Sequence, residues 1–139
     1  MMLLDTNIIS EVMRSRPNPQ VIEWLNRQSV KACFLSSITL AEIEYGIAAL
    51  PFGNRRDSLA LRFKQFVDQG FDGRLLGFDA QSAVYFARVM ALRKGQGRPM
   101  SFQDGQIAAI ALQHGLPLAT RNMKDFDEVG VALVNPFSA

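Results

Sequence analysis

The sequence is poor in the side chains that make most active sites easy to recognise. Its 139 residues hold one cysteine and one histidine. Cys33, inside the apolar run ACFL, cannot staple a fold, and its neighbours mark it as a buried packing residue. His114 precedes Gly115 near the end of a helical stretch, where a cation complements the helix dipole. Ser10, Ser36 and Ser37 have no His–Asp partners in sight, so a hydrolase triad is not supported. There is no Gly-rich phosphate loop. The apolar runs are short and interrupted, which excludes a membrane span. The opening MMLLDTN lacks a basic lead, an apolar core of signal length and a cleavage site, so a cytoplasmic protein is expected. The net charge of +2 is too small to identify a partner.

The composition, 48% hydrophobic and 20% charged, is that of a globular chain, and its length suits a single domain with a real core. Eleven of the 15 basic residues are Arg, whose planar fork suits phosphate. Between Asp79 and Asp104 there is no acid, whereas Arg88, Arg93, Lys94 and Arg98 all fall there. This basic segment leading into an acidic position is either a solvated helix face or a phosphate track.

Residues 2–4 (MLL) form a short apolar run ending at Asp5, and Thr6-Asn7 turn into a helix reaching about Arg14, stopped by Pro17. Asn18-Pro19 restarts a helix carrying Val21, Ile22, Trp24 and Leu25, with Asn as the cap and Pro at the first position. Strands are expected at 32–36, 74–78, 117–120 and 131–134, and helices at Thr39–Leu50, 55–69, 80–94 and 102–114. This alternation predicts an α/β fold, with a parallel sheet covered by helices on both faces in one domain spanning 1–139. Helix 80–94 has two apolar stripes, one through Ala80, Ala83, Val84, Ala87 and Ala91, the other through Tyr85, Phe86, Val89 and Leu92. A surface helix needs one. The second stripe is left to helix 55–69 or to another subunit, and a homodimer is expected.

The acids at strand ends are the informative residues. Asp5 follows the first strand, Glu42 lies one turn into the helix after the second, and Asp104 opens the helix before the fourth; Asn122 and Asp125 come just after that strand. In a parallel sheet all strand carboxyl ends meet at one edge, where ligands bind. Oxygen ligands without His or Cys suit a hard cation, Mg²⁺ or Mn²⁺. Helix capping is the competing explanation. Thr39-Leu40-Ala41-Glu42 and Ser101-Phe102-Gln103-Asp104 both fit the capping pattern, and Asp5 can cap the helix after it. Asp5 resists that explanation best, because an isolated charge ending a buried run is costly to desolvate. Glu44, two positions beyond Glu42, points nearly the opposite way and is expected outward.

LLDTN at 3–7, SSITLAEIEYG at 36–46, DGQIAAIA at 104–111, LATRNMKDF at 118–126 and VNPF at 134–137 resemble the motifs of the PIN-domain family. More narrowly, they resemble the FitB-like branch of the VapC toxins of type II toxin–antitoxin pairs. The resemblance covers essentially the whole chain. It implies five parallel strands in the order 3-2-1-4-5 and a Mg²⁺- or Mn²⁺-dependent endoribonuclease. It places the family's metal-binding and catalytic acids at Asp5, Glu42 and Asp104, with Asn122 where the family often has Asp. Asn contributes an oxygen but no charge, and Asp125 is a partial substitute. Thr6 and Thr120 stand where the family has supporting hydroxyls. Arg88, Arg93, Arg98 and Arg121 are candidates for flanking RNA phosphates. The implied partners are a cognate VapB- or FitA-like antitoxin, RNA, promoter DNA reached through the antitoxin, and a second copy in a homodimer or dimer of heterodimers. Two alternatives remain. One is a weakly catalytic regulatory partner of a ribbon-helix-helix antitoxin. The other is phosphoryl transfer through an aspartyl intermediate at Asp5, disfavoured because such phosphatases need Asp where this chain has Asn7.

Overall fold

The computed structural model describes residues 1–138, Val30 by its backbone alone. Five parallel strands, β1 (Met2–Leu4), β2 (Cys33–Ser36), β3 (Leu75–Leu76), β4 (Leu118–Ala119) and β5 (Leu133–Val134), pair in the order β3-β2-β1-β4-β5. Six helices connect them: α1 (Thr6–Val12), α2 (Pro19–Arg27), α3 (Ser37–Ala48), α4 (Asn54–Gly70), α5 (Ala80–Gly95) and α6 (Phe102–His114). The expected fold class, strand order and two-faced covering are all observed.

Successive strand residues point to opposite faces, and here each face meets its own core. Leu3, Phe34, Leu118 and Leu133 pack with Val89 of α5 and Ile107, Ala108, Ile110 and Ala111 of α6. Leu4, Leu35, Ala119 and Val134 pack with Ile8 and Ile9 of α1, Val21 and Trp24 of α2, Ile47 of α3 and Phe63 of α4. Trp24 is therefore a core residue, and so is Cys33, as its neighbours implied. Three strands are shorter than expected, two residues instead of four or five.

The helix starts follow their caps. Asn18 accepts from Gln20 N–H ahead of Pro19, and Ser101 accepts from Asp104 N–H. The helix expected from Thr39 begins earlier, at Ser37, because Ser36 is the cap and Thr39 N–H is its donor. Glu42 thus lies beyond the capping turn, and the capping explanation for it fails. Glu44 is exposed, as expected.

Helix α5 packs on α6, and it does so closely because Gly105 has no side chain. A Cβ there would stand 2.5 Å from Met90 Sδ and 3.1 Å from Phe86. Of the stripe through Tyr85, Phe86, Val89 and Leu92, Val89 is buried in the core with α6 and Phe86 meets Phe78 and Phe102 edge to face, whereas Leu92 stays exposed. The stripe through Ala80, Ala83, Val84, Ala87 and Ala91 is the exposed one. Among the described residues no helix is long and apolar enough to cross a membrane.

Candidate active site

Asp5 leaves β1 at the sheet's carboxyl edge and caps α1, which its φ of −73° and ψ of 160° permit. Its side chain is buried and densely bonded. Thr6 N–H donates to Oδ1 at 2.8 Å, Thr120 Oγ1–H to Oδ2 at 2.8 Å and Asn7 Nδ2–H to Oδ2 at 3.2 Å. Thr120 follows β4, so this one carboxylate ties two neighbouring strand ends together. Thr6 Oγ1 donates to Glu42 Oε1 at 3.2 Å and lies 3.0 Å from Thr39 Oγ1, tying α1 to α3. Both threonines therefore hydrogen-bond to acids of the cleft.

Asp5, Glu42, Asp104 and Asn122 line one cleft of about 470 Å³, with Glu11, Arg14 and Arg121. Burial pushes Asp5 above the ordinary carboxylate range, against its hydrogen bonds with Thr120 and Thr6, and the charges of Glu42 and Asp125 add to the rise. Burial also raises Glu42, with a further push from Asp104. Asp104 is pushed up to about 6 by burial first and then by Asp5 and Asp125. The acids therefore feel one another across the cleft. Among the described residues, however, no three of His, Cys, Asp and Glu are gathered at metal-chelating distance. The donor set fits a hard cation by its chemistry: carboxylate oxygens, half-buried or buried, facing one cavity with an amide oxygen available at Asn122. Asp125 is exposed and contributes through its charge.

This electrostatic crowding has a measurable cost. A carboxyl whose value in the folded state, about 6, lies above its ordinary 3.8 binds more protons folded than unfolded between those limits. Stability therefore falls as pH rises through that window, and the full penalty is present at pH 7. Asp104→Asn removes it. Discounted for the partial exposure of the group, the gain is about 1 kcal/mol, a rise of a few degrees in Tm. Thermal melts in EDTA should show the variant above wild type at neutral pH and the two converging in acid; a variant less stable at neutral pH would contradict the crowding.

The basic candidates divide. Arg121 lines the cleft: its backbone N–H donates to Asn7 Oδ1 at 3.2 Å and its guanidinium lies 4.7 Å from the centre of the Phe137 ring. Arg88 sits over Tyr85, and Arg98 pairs with Glu128 and Asp127; neither lines the cleft. Arg93 is a correction. It is 4% exposed and donates to the backbone carbonyls of Arg98, Lys124, Asp125 and Asp127, so it is not available to a phosphate. Asn7, Glu11 and Arg14 were not anticipated, although the spacing of Glu11 and Arg14 on a helix was a visible signal for a pair. A larger groove of about 810 Å³ between α1, α3 and α4 adjoins the cleft, sharing Thr6, Ser10, Arg14 and Glu42 with it.

Comparison with known proteins gives a consistent family picture. The PIN domain profile matches residues 2–132. Toxin FitB of Neisseria gonorrhoeae is 40% identical over 137 residues, covering 99% of each chain. VapC ribonuclease Y4jK of Sinorhizobium fredii is 38% identical over 137 residues, covering 99% of this chain and 98% of the relative. Among solved structures, FitAB bound to an IR36 DNA fragment superposes with a TM-score of 0.93 at 39% identity, covering 99% of this chain and 96% of the matched one.

Proposed function

Since the chain belongs to the PIN-domain family and is homologous to the VapC/FitB ribonuclease toxins of type II toxin–antitoxin systems, we propose that it is a divalent-metal-dependent endoribonuclease neutralised by a cognate antitoxin. The observation that carries this reading is the convergence of Asp5, Glu42 and Asp104, drawn from separate parts of the chain, on one cleft at the sheet's carboxyl edge.

Asp5, Glu42 and Asp104 would hold Mg²⁺ or Mn²⁺, with Asn122 offering a neutral oxygen. When bound, such an ion supplies Lewis acidity toward the scissile phosphate and the attacking water. The chain's own residues supply position and proton handling. Thr120, Thr6 and Asn7 hold the Asp5 oxygens in place, and Thr6 does the same for Glu42. Glu42 and Asp104, both raised by burial and by neighbouring acids, are the carboxylates that would accept the water's proton. Because water is the nucleophile, the 2′-hydroxyl is not needed and a 5′-phosphate product follows. The test is cleavage of single-stranded RNA with Mg²⁺ or Mn²⁺ and after EDTA treatment, with the product ends identified. Metal-independent cleavage, or 2′,3′-cyclic phosphate ends, would refute the mechanism.

The partners follow the same reading. A relative's structure holds a FitAB complex on DNA. For this chain the proposal is an antitoxin whose basic segment covers the acidic cleft, a guanidinium there replacing the cation's charge, and promoter binding only in that complex. The exposed Ala80–Ala91 stripe is the proposed contact between copies in a dimer, and the cytoplasm the proposed location.

A further inference from the structure

The acidic cleft has a basic lip. Glu11, on α1, is 5% exposed; Asn18 N–H donates to its Oε2 at 2.8 Å, and Nη1 of Arg14 donates to both carboxylate oxygens at 3.2 Å. Asn18 N–H first, with help from Arg14, holds the Glu11 carboxyl below its ordinary range. An i,i+3 pair between two mobile surface side chains contributes little to stability. Here one partner is tethered by backbone, so it acts as a post that fixes the other. Arg14 is left 65% exposed while lining the cleft. Arg121 arrives from the far end of the chain, fixed through Asn7 and laid against Phe137, and its charge also acts on Glu11. Among the described residues lining the cleft, these two arginines are the basic ones.

We propose that Arg14 and Arg121 form a seat for the backbone phosphate next to the scissile one, with Glu11 as the positioning residue that aims Arg14. This rests on the ribonuclease reading above. A polyanion approaching Asp5, Glu42 and Asp104 meets like charge, and cations lining the same cleft offset it. The guanidinium fork matches phosphate oxygens in two-point contact. Such contacts give register and salt-sensitive affinity without sequence preference. Glu11 touches Arg14 and not the substrate.

The experiment uses a short fluorescein-labelled single-stranded RNA. Binding is followed by anisotropy in Ca²⁺ across a salt series, and cleavage of the same RNA in Mn²⁺. Arg14→Ala is expected to weaken binding about tenfold and to make the salt slope shallower by about 0.7. It should raise KM and leave kcat nearly unchanged. Arg14→Lys should recover part of the affinity, since the charge returns without the fork. Glu11→Gln should weaken binding about threefold alone and not at all in the Arg14→Ala background. The Arg14 variants change an exposed side chain and decide the matter even if Glu11→Gln does not fold. Wild-type affinity and salt slope in Arg14→Ala, or a loss confined to kcat, would overturn the seat. If wild type cleaves RNA dependent on Asp5 while Arg14→Ala matches it, the seat alone falls. If wild type shows no Asp5-dependent cleavage, the ribonuclease reading falls and takes the seat with it.

Discussion

Asp5→Asn should lower kcat/KM for RNA cleavage by about 10³-fold or more while leaving the fold intact. The substitution keeps the side chain's shape and one acceptor oxygen but removes the charge that would help to hold a cation. Its structural cost is small because two effects oppose. The new amide NH₂ accepts no hydrogen bond; placed at Oδ1 it loses the one from Thr6 N–H, while the amide oxygen at Oδ2 still accepts from Thr120 Oγ1–H and Asn7 Nδ2–H. Losing one such bond costs about 1 kcal/mol. Against this, burial already pushes the Asp5 carboxyl toward its neutral form, so removing the charge relieves a desolvation penalty that opposes the loss. Single-turnover cleavage and a thermal melt on the same preparation separate chemistry from folding. Activity retained within a few-fold would remove Asp5 from the reaction; a collapsed melt would show that its role is structural.

Arg93→Ala carries the largest expected loss of stability, about 3–5 kcal/mol. The guanidinium is buried against the loop after β4, where Nη1 donates to the carbonyls of Asp125 at 3.0 Å and Asp127 at 3.1 Å, and Nε donates to Arg98 at 2.8 Å. Truncation leaves those carbonyls without their donor and opens a void beside α5. For a domain of this size the loss corresponds to a fall in Tm of roughly 10–20 °C. Because the same loop carries Asn122 and Asp125, cleavage should also decline in the surviving folded fraction. Arg93→Lys should rescue little, since an ammonium cannot span carbonyls fanned around a planar fork. A Tm within a few degrees of wild type for Arg93→Ala would show that water replaces those hydrogen bonds without penalty.

The meeting of Asp5, Glu42 and Asp104 was legible in the sequence because it follows from parallel topology, whereas the sheet order was legible only through the resemblance of the motifs to a known family. Residues ending parallel strands must share an edge however far apart they lie in the chain. What failed depended on partners that periodicity does not encode. Arg93 reads as one cation among several on a polar helix face, yet the carbonyls that bury it lie more than 30 residues later, at Asp125 and Asp127. The capping pattern at Thr39 was displaced because Ser36, a strand residue, competes for the cap and takes Thr39 N–H. The strands at RLLGF and PLAT are shorter than expected because only two residues of each form ladder pairs, while Arg74, Pro117 and Thr120 at their ends each make a single backbone hydrogen bond to a neighbouring strand. Asn7 was passed over as a turn residue, although its side chain meets Asp5, Thr120 and Arg121 at once.

The position of β1 bears on the order in which a growing polypeptide can assemble the cleft. Met2–Leu4 is the middle strand, flanked by β2 and by β4 at Leu118–Ala119. On the ribosome the first strand emerges long before the second of these neighbours. Until Thr120 has left the exit tunnel, Asp5 lacks its 2.8 Å hydroxyl donor and the half-sheet has an open edge. Assembly of the cleft thus waits on β4, so more than a hundred residues of intervening chain must be made before the carboxylate that opens the site is held by both of its neighbours.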